Sequence, residues 1–196
     1  MRRAGATTPG DQPLTEGDQQ ALLGVARGAL AAHLAGRAFR PDVGGHPILG
    51  EKRGAFVTLH SAPTGDLRGC IGRLQPDESL ADTVAEMAIA AATSDRRFSP
   101  VTLGELPSLR LEVSALGPMR PIRPEDVEVG RHGLLLSRSG RRGVLLPQVP
   151  VEHGWDRETF LDQTCLKAGL PPGSWRDGDA ELLAFTAEVF GEGGEG

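Results

Sequence analysis

The hexapeptide Leu67-Arg68-Gly69-Cys70-Ile71-Gly72 is the stretch around which the rest of the chain is arranged. It follows a turn, Pro63-Thr64-Gly65-Asp66, and residues 54–60 before that turn alternate as a β-strand does. Two strand-like runs joined by Pro, Gly and Asp predict a β-hairpin. An alanine-rich helical pattern comes next, so the hexapeptide lies on a strand between a hairpin turn and a helix.

The chain on either side of the hairpin carries both helical and strand patterns. Thr15 predicts a helix start, apolar residues continue at helical spacing to Leu34, and residues 77–93 and 156–168 predict two more helices. Alternation predicts a strand at 109–116 and a second hairpin from 133–136 and 143–146. Residues 182–190 fit a helix or a strand, and their alternation favours a strand. Strand pairs separated by helices predict an α+β fold.

Length and composition set wide limits on the class of protein. A chain of 196 residues can form one compact core or two small lobes, and residues 1–13 and 191–196 are predicted as flexible tails. Cys70 and Cys165 stand without a dense cysteine framework, which favours reduced thiols in the cytoplasm. No run of about 18 apolar residues predicts a membrane helix. The net charge of −5 disfavours nucleic acid and anionic membranes as partners.

Cys70 is the first candidate functional residue. Residues two apart on a strand share a face, so Arg68 and Cys70 should point the same way, and a nearby guanidinium favours thiolate over thiol. Gly69 and Gly72 lack a Cβ and let a ligand or another backbone come close. The alternative is a small buried cysteine in a strand that is kinked at its glycines. Both interpretations remain open on the residues alone.

His132 is the candidate base for a nucleophilic cysteine. It lies in Gly130-Arg131-His132-Gly133, where the flanking glycines predict a turn at the entrance of a strand. Nucleophilic cysteines usually act with a histidine. The alternative is a loop histidine that faces solvent, and the sequence does not show whether His132 contacts Cys70.

Arginines occur in two further groups. Asp95 and Arg97, just after the second predicted helix, predict either an ion pair that locks a loop or a clamp for an anionic ligand. Arg138, Arg141 and Arg142 lie at the tip of the second hairpin, where solvated side chains are the simplest interpretation, since no aromatic residues are interleaved.

Common catalytic and ligand-binding motifs do not occur in the chain. There is no CxxC pair, no HExxH and no close His/Asp cluster, so no metal site is predicted. GxxxxGK[ST] and GxSxG are likewise missing, and no cofactor is predicted.

Ordered blocks along the chain resemble the AMMECR family, whose bacterial members are called AmmeMemoRadiSam system protein A. The hexapeptide is similar to the family signature, and residues 95–100 resemble its D-x-R-F-x-P. Further blocks follow in the family's order: Glu105-Leu106-Pro107, Val113-Ser114-Ala115-Leu116, Gly130-Arg131-His132-Gly133, Leu146-Pro147-Gln148-Val149, Gly154-Trp155-Asp156 and Lys167-Ala168-Gly169-Leu170. Pro150 and Phe185 are small departures from the pattern.

The resemblance implies an AMMECR-type domain over residues 14–190. The implied fold is α+β, with two closely joined lobes of mostly antiparallel sheet flanked by helices, and with the cysteine motif near the cleft between them. It also implies a bacterial setting beside a radical-SAM enzyme and a Memo-like, dioxygenase-fold protein. It implies no established reaction.

Two functions are compatible with these observations. The first is an enzyme, or the substrate-handling part of one, that acts on an unknown small molecule or protein. Cys70 would be its nucleophile or ligand contact, with Arg68 favouring the thiolate, His132 as base and Arg97 holding an anionic group. The second is a non-catalytic adaptor that docks to the radical-SAM or Memo-like protein through the cleft and the hairpin tip at 137–142.

Overall fold

The structure is a computed structural model that describes residues 12–75 and 77–193. These residues form two compact units. The first contains the described residues up to Leu116 together with those from Glu188, and the second is Gly117–Ala187. Each unit contains one four-stranded sheet with helices beside it. The predicted α+β class is confirmed. Because the chain returns to the first unit at its end, no single linker divides the sequence.

Four helices and eight strands form the described part of the chain. In chain order they are α1 Glu16–Leu34, β1 Ala55–Ser61, β2 Leu67–Arg73, α2 Leu80–Thr93, β3 Leu109–Leu116, β4 Arg120–Pro121, β5 Gly133–Arg138, β6 Arg141–Leu145, α3 Gln148–Glu152, α4 Arg157–Lys167, β7 Glu181–Phe185 and β8 Ala187–Gly191.

Helix α1 begins at a capping box, as Thr15 predicted. Thr15 Oγ1 accepts a hydrogen bond from the N–H of Asp18, and the Asp18 carboxylate accepts one from the N–H of Thr15 at 2.9 Å. The box satisfies N–H groups that the start of a helix leaves unpaired. Helices α2 and α4 begin at Ser79 and Asp156, and each of these side chains accepts a hydrogen bond from a backbone N–H group in the first turn.

The first sheet has the strand order β2-β1-β3-β8, and β1 is antiparallel to both β2 and β3. Helix α2 packs on β1 and β2, and α1 packs on α2 and β3. Ala55, Val57 and Leu59 of β1 are buried, whereas the residues between them are half-buried. The sheet therefore has one face under the helices and an opposite face, which we call the far face.

The second sheet has the strand order β4-β7-β5-β6, antiparallel in each described pairing. Helix α4 packs on β5 and β6 and buries Phe160, Leu161 and Cys165 against the sheet. The predicted hairpin is confirmed as β5 and β6, joined at Ser139 and Gly140, both of which have positive φ angles. Two successive residues with positive φ suit the tight turn of a hairpin.

Residues 182–190 are extended, but they do not form one strand. Thr186 separates β7, which pairs with β5 in the second sheet, from β8, which belongs to the first sheet. The predicted strand is thus corrected to two strands in different sheets. The alternation of side chains continues across the change of sheet, so the sequence pattern carries no sign of it.

The two predicted tails, residues 1–13 and 191–196, lie only partly within the described residues. Residues 1–11 and 194–196 lie outside the described residues. Gly191 ends β8, and the Glu192 carboxylate accepts hydrogen bonds from Arg27 and from the N–H of Leu111, so the segment predicted as a tail begins attached to the first unit. None of the helices in the described part of the chain combines the length and the apolar character that a membrane span requires.

Candidate functional site

A β-bulge at Arg68 shapes the strand that carries the candidate cysteine. Thr58 of β1 lies opposite Cys70 of β2 and Leu59 lies opposite Gly69, but His60 lies opposite Leu67. Arg68 is therefore the extra residue, and a bulge of this kind bends the strand and changes the direction of its side chains. Because Thr58 belongs to the half-buried set of β1, Cys70 lies with it on the far face.

Gly69 and Gly72 are required by packing within the first unit. A Cβ at Gly69 would overlap the carbonyl oxygen of Ala91, because the backbone of α2 lies directly on β2. A Cβ at Gly72 would overlap the ring of Phe56, its cross-strand neighbour. The sequence left open whether a ligand or another part of the protein comes close to these glycines. The described contacts of both glycines are with protein atoms.

Cys70 is half-buried and has a polar contact at its sulfur. The Thr58 hydroxyl donates a hydrogen bond to Cys70 Sγ at 3.3 Å. The backbone N–H of Cys70 donates to Asp95 Oδ2 at 2.9 Å. The cysteine is thus held through its backbone by one residue and contacted at its sulfur by another.

Asp95 and Arg97 form an ion pair next to Cys70. Arg97 Nε donates to Asp95 Oδ1 at 3.0 Å and Nη2 donates to Oδ2 at 2.7 Å, in the bidentate geometry that makes such pairs strong. These bonds, with the backbone N–H of Cys70, hold the pKa of Asp95 far below its usual range despite its burial. The pKa of Arg97 is raised by its hydrogen bond to Asp95, and Cys70 adds a smaller electrostatic contribution.

Arg68 is paired with Glu105. Its Nε and Nη2 both donate to Glu105 Oε1 at 3.1 Å. Glu105 Oε2 accepts from the N–H of Thr102 at 2.8 Å, and this bond, with those from the Thr102 hydroxyl and Arg68, lowers the pKa of Glu105. The described hydrogen bonds of the Arg68 guanidinium therefore go to a carboxylate, which offsets its charge.

His132 belongs to the second unit, whereas Cys70 belongs to the first. Its Nδ1 accepts a hydrogen bond from the N–H of Glu128 at 3.0 Å. Burial lowers the pKa of His132, and the charge of Arg131 lowers it further. The structure brings Cys70, Arg68, Asp95 and Arg97 together in the first unit and gives His132 a local role in its own turn.

No group of three or more His, Cys, Asp or Glu side chains within residues 12–75 and 77–193 is arranged to hold a metal ion.

Comparison with known proteins identifies the family. The model of the AMMECR1 family matches residues 23–190. A protein of Thermococcus gammatolerans is 46% identical over 181 residues, which cover 87% of this chain and 88% of that protein. A protein of Methanopyrus kandleri is 47% identical over 152 residues, covering 74% of this chain and 73% of the relative. The chain belongs to the AMMECR1 family.

A solved structure shares the fold of this AMMECR1-family chain. The crystal structure of an uncharacterized protein from Pyrococcus horikoshii superposes with a TM-score of 0.80 at 43% sequence identity, covering 89% of this chain and 91% of that one. The family predicted from the ordered sequence blocks is thereby confirmed. The relatives named above are archaeal, so the bacterial setting that the resemblance implied is not part of this finding.

Three residues that contact or lie beside strand β2 in the AMMECR1-family chain were not predicted as site residues from the sequence. Thr58 could have been found from alternation, because the register of the predicted hairpin places a hydroxyl on the same face as the cysteine. His60, two residues further along β1, also lies on the far face, and its Nδ1 is 3.3 Å from the carbonyl oxygen of Gly65. Glu105 gave no local signal, because it lies 37 positions from Arg68.

Proposed function

We propose that Cys70 is the reactive or ligand-contacting group of a substrate-handling site on the first unit. The protein would act as an enzyme, or as the substrate-handling component beside a radical-SAM enzyme and a Memo-like protein, on a small molecule or a protein. The observation that carries the proposal is the hydrogen bond from the Thr58 hydroxyl to Cys70 Sγ. The bond orients the sulfur of a half-buried cysteine on the far face, and this sulfur is the atom with which a cysteine attacks or binds a ligand.

The surroundings of Cys70 support this role further. Asp95 fixes the backbone at Cys70, and a fixed nucleophile loses less entropy when it meets a substrate. In this proposal Arg68 supports Cys70 electrostatically, although its ion-pair partner Glu105 offsets the charge of the guanidinium. His132, which belongs to the second unit, stays a candidate base from the sequence only. A reducing compartment such as the cytoplasm would keep both thiols of the chain reduced.

The other cysteine provides an internal control for the experiment. Cys165 of α4 is fully buried, and burial raises the pKa of its thiol. We would alkylate the folded protein at neutral pH and resolve the two cysteines by mass spectrometry. Cys70 should react at least about tenfold faster than Cys165, since a buried thiol reacts slowly.

Two variants at Thr58 sharpen this test. Thr58→Val removes the hydroxyl and keeps the branched shape, so it should slow the alkylation of Cys70. Thr58→Ser keeps the donor and should react nearly as the parent protein does. If Cys70 reacts only after the protein is denatured, the cysteine is a packing residue and the proposal is wrong.

A second candidate function is that of a non-catalytic adaptor for the same two partner proteins. The observation that favours it is a braced hairpin tip at 137–142. Arg138 is bonded to Asp177 and to Asp179, and Arg141 donates to the carbonyl oxygen of Gly169, so the tip is held to the rest of the second unit. A surface that is already ordered loses little entropy on binding.

Binding of purified partners would test the adaptor function. Arg142→Glu reverses a charge on the exposed tip, and Arg40→Glu makes the same change on an exposed residue outside it. If the tip is the docking surface, a radical-SAM or Memo-like protein should bind the Arg40 variant and lose affinity for the Arg142 variant. Equal binding of both variants, or no binding under reducing conditions, would contradict it.

A further inference from the structure

We propose that the Cys70 site selects a substrate that carries a carboxylate or a phosphate close to the atom that meets the thiol, and that Arg97 is the residue that determines this specificity. The inference rests on the proposed function of Cys70 and adds the class of substrate. Asp95 is assigned the part of a positioning residue, since it contacts both Arg97 and the strand of Cys70.

One carboxylate oxygen joins the arginine to the cysteine strand. Asp95 Oδ2 accepts from the N–H of Cys70 at 2.9 Å and from Arg97 Nη2 at 2.7 Å. Asp95 Oδ1 accepts from Arg97 Nε at 3.0 Å and from the backbone N–H of Arg97 at 3.2 Å. Four bonds to one carboxylate fix both the position and the plane of the guanidinium relative to Cys70.

The exposed member of this ion pair is the positive one. The Arg97 side chain is 58% exposed, whereas that of Asp95 is 7% exposed. The guanidinium is therefore the part of this ion pair that solutes can reach. The described bonds of Arg97 use Nε and Nη2, which leaves the Nη1 side of the fork for a ligand, and arginine forks bind carboxylates and phosphates well.

Other charges on this side of the first unit act less directly on Cys70. Arg68 and Glu105 offset each other as an ion pair. Glu112 of β3 lies opposite Thr58, so it is one strand further from Cys70 than Thr58 is, and Arg110 lies opposite His60 in the next row. Arg97, by contrast, is linked to Cys70 through a single carboxylate oxygen, Asp95 Oδ2.

The charge preference of Cys70 can be measured with two alkylating reagents of similar size. Iodoacetate is anionic and iodoacetamide is neutral. With either one the Cys70 thiolate forms a bond to carbon and iodide leaves. The quantity of interest is the ratio of the iodoacetate rate to the iodoacetamide rate at Cys70, resolved by mass spectrometry. The same ratio in the urea-unfolded protein is the reference.

In the folded protein this ratio should exceed the unfolded reference by about fivefold, the size expected for one unit charge about 4 Å away when water screens the interaction fully. Added salt should reduce the excess, because it screens exposed charges. Arg97→Gln should abolish it, and Arg97→Lys, which keeps the charge but not the fork, should retain part of it.

Arg96→Gln is the matched control, because it removes the same charge from the neighbouring exposed residue. It should keep most of the excess. The inference is overturned if the folded protein shows no excess, or if the Arg96 and Arg97 variants lower the ratio equally. A Cys70 that reacts quickly with both reagents but without preference leaves the proposed function intact, whereas a Cys70 inert to both refutes the proposed function itself.

Discussion

The two cysteines lie beside similar packing arrangements and yet have different surroundings. In the first unit β2 is an edge strand, and Gly69 lies beneath the backbone of α2 at Ala91. In the second unit β6 is an edge strand, and Gly143 lies beneath the backbone of α4 at Thr164 and Ala168. In each unit a glycine allows a helix to approach the edge of a sheet closely.

The difference is the side of this contact on which the cysteine lies. Cys70 is on the strand and faces away from the helix, where it is half-buried and contacts Thr58. Cys165 is on the helix and faces the sheet, where it is fully buried and the pKa of its thiol is raised. The burial of a thiol is therefore decided by the face it occupies, because the same residue type is fully buried in one unit and half-buried in the other.

The largest expected effect is the loss of either glycine. Gly69→Ala and Gly143→Ala each place a methyl group against helix backbone that cannot move aside as a side chain can, so each should lower the free energy of unfolding by about 2–4 kcal/mol. Urea unfolding of each variant would measure this loss.

Gly24→Ala is the control for these two variants. Gly24 lies within α1, and a Cβ there would meet no atom within 4 Å. This change should raise the free energy of unfolding by about 0.5–1 kcal/mol, because alanine favours a helix. Stability within error of the parent for Gly69→Ala would show that α2 does not lie on β2 as described.

A smaller effect should separate the two cysteines directly. Cys165→Ser puts a more polar atom in a fully buried position and should cost about 1–3 kcal/mol. Cys70→Ser, at a half-buried position beside a hydroxyl, should cost less than about 1 kcal/mol while it removes the proposed reactive group. Thermal unfolding of both variants measures the contrast, and a reversed order would contradict it.

The last expected effect concerns the acid stability of the Cys70 site. Because the pKa of Asp95 is lower in the folded protein than in the unfolded chain, its contribution is present above the unfolded value of about 3.9 and is lost as the pH falls further. Asp95→Asn should cost about 1 kcal/mol at pH 7, since much of the Arg97 side chain is exposed to solvent.

The pH dependence of that cost is the informative part. The difference in stability between the parent protein and Asp95→Asn should shrink as the pH falls from 5 through the acid range, because the parent protein loses the charge that the variant lacks. Arg97→Gln removes the main cause of the lowered pKa of Asp95. The stability of this variant should therefore fall less steeply than that of the parent protein over the same acid range. A constant difference across this range would show that the carboxylate charge does not stabilise the loop.

Much of the fold could be predicted because its signals are local. Thr15 begins α1, the turn at 63–66 joins β1 to β2, and Gly69 was recognised as a site of close approach. The same local patterns could not show that Arg68 pairs with Glu105 or that Cys70 is held by Asp95, because those partners lie 37 and 25 positions away. The pairing of distant side chains depends on how the elements pack.

The sequence by itself determined the family, the α+β class, the start of α1 and the strand that carries Cys70. The fold class, the helix start and the strand follow from spacing and capping residues within a few positions of one another, and the family follows from the order of short blocks along the chain. Only the tertiary structure decided that Thr186 separates two sheets, that α2 occupies the close approach at Gly69, and that Arg97 is the cation held beside Cys70. These features depend on contacts between distant segments, and an alternating pattern is the same whichever partner the strand finally meets.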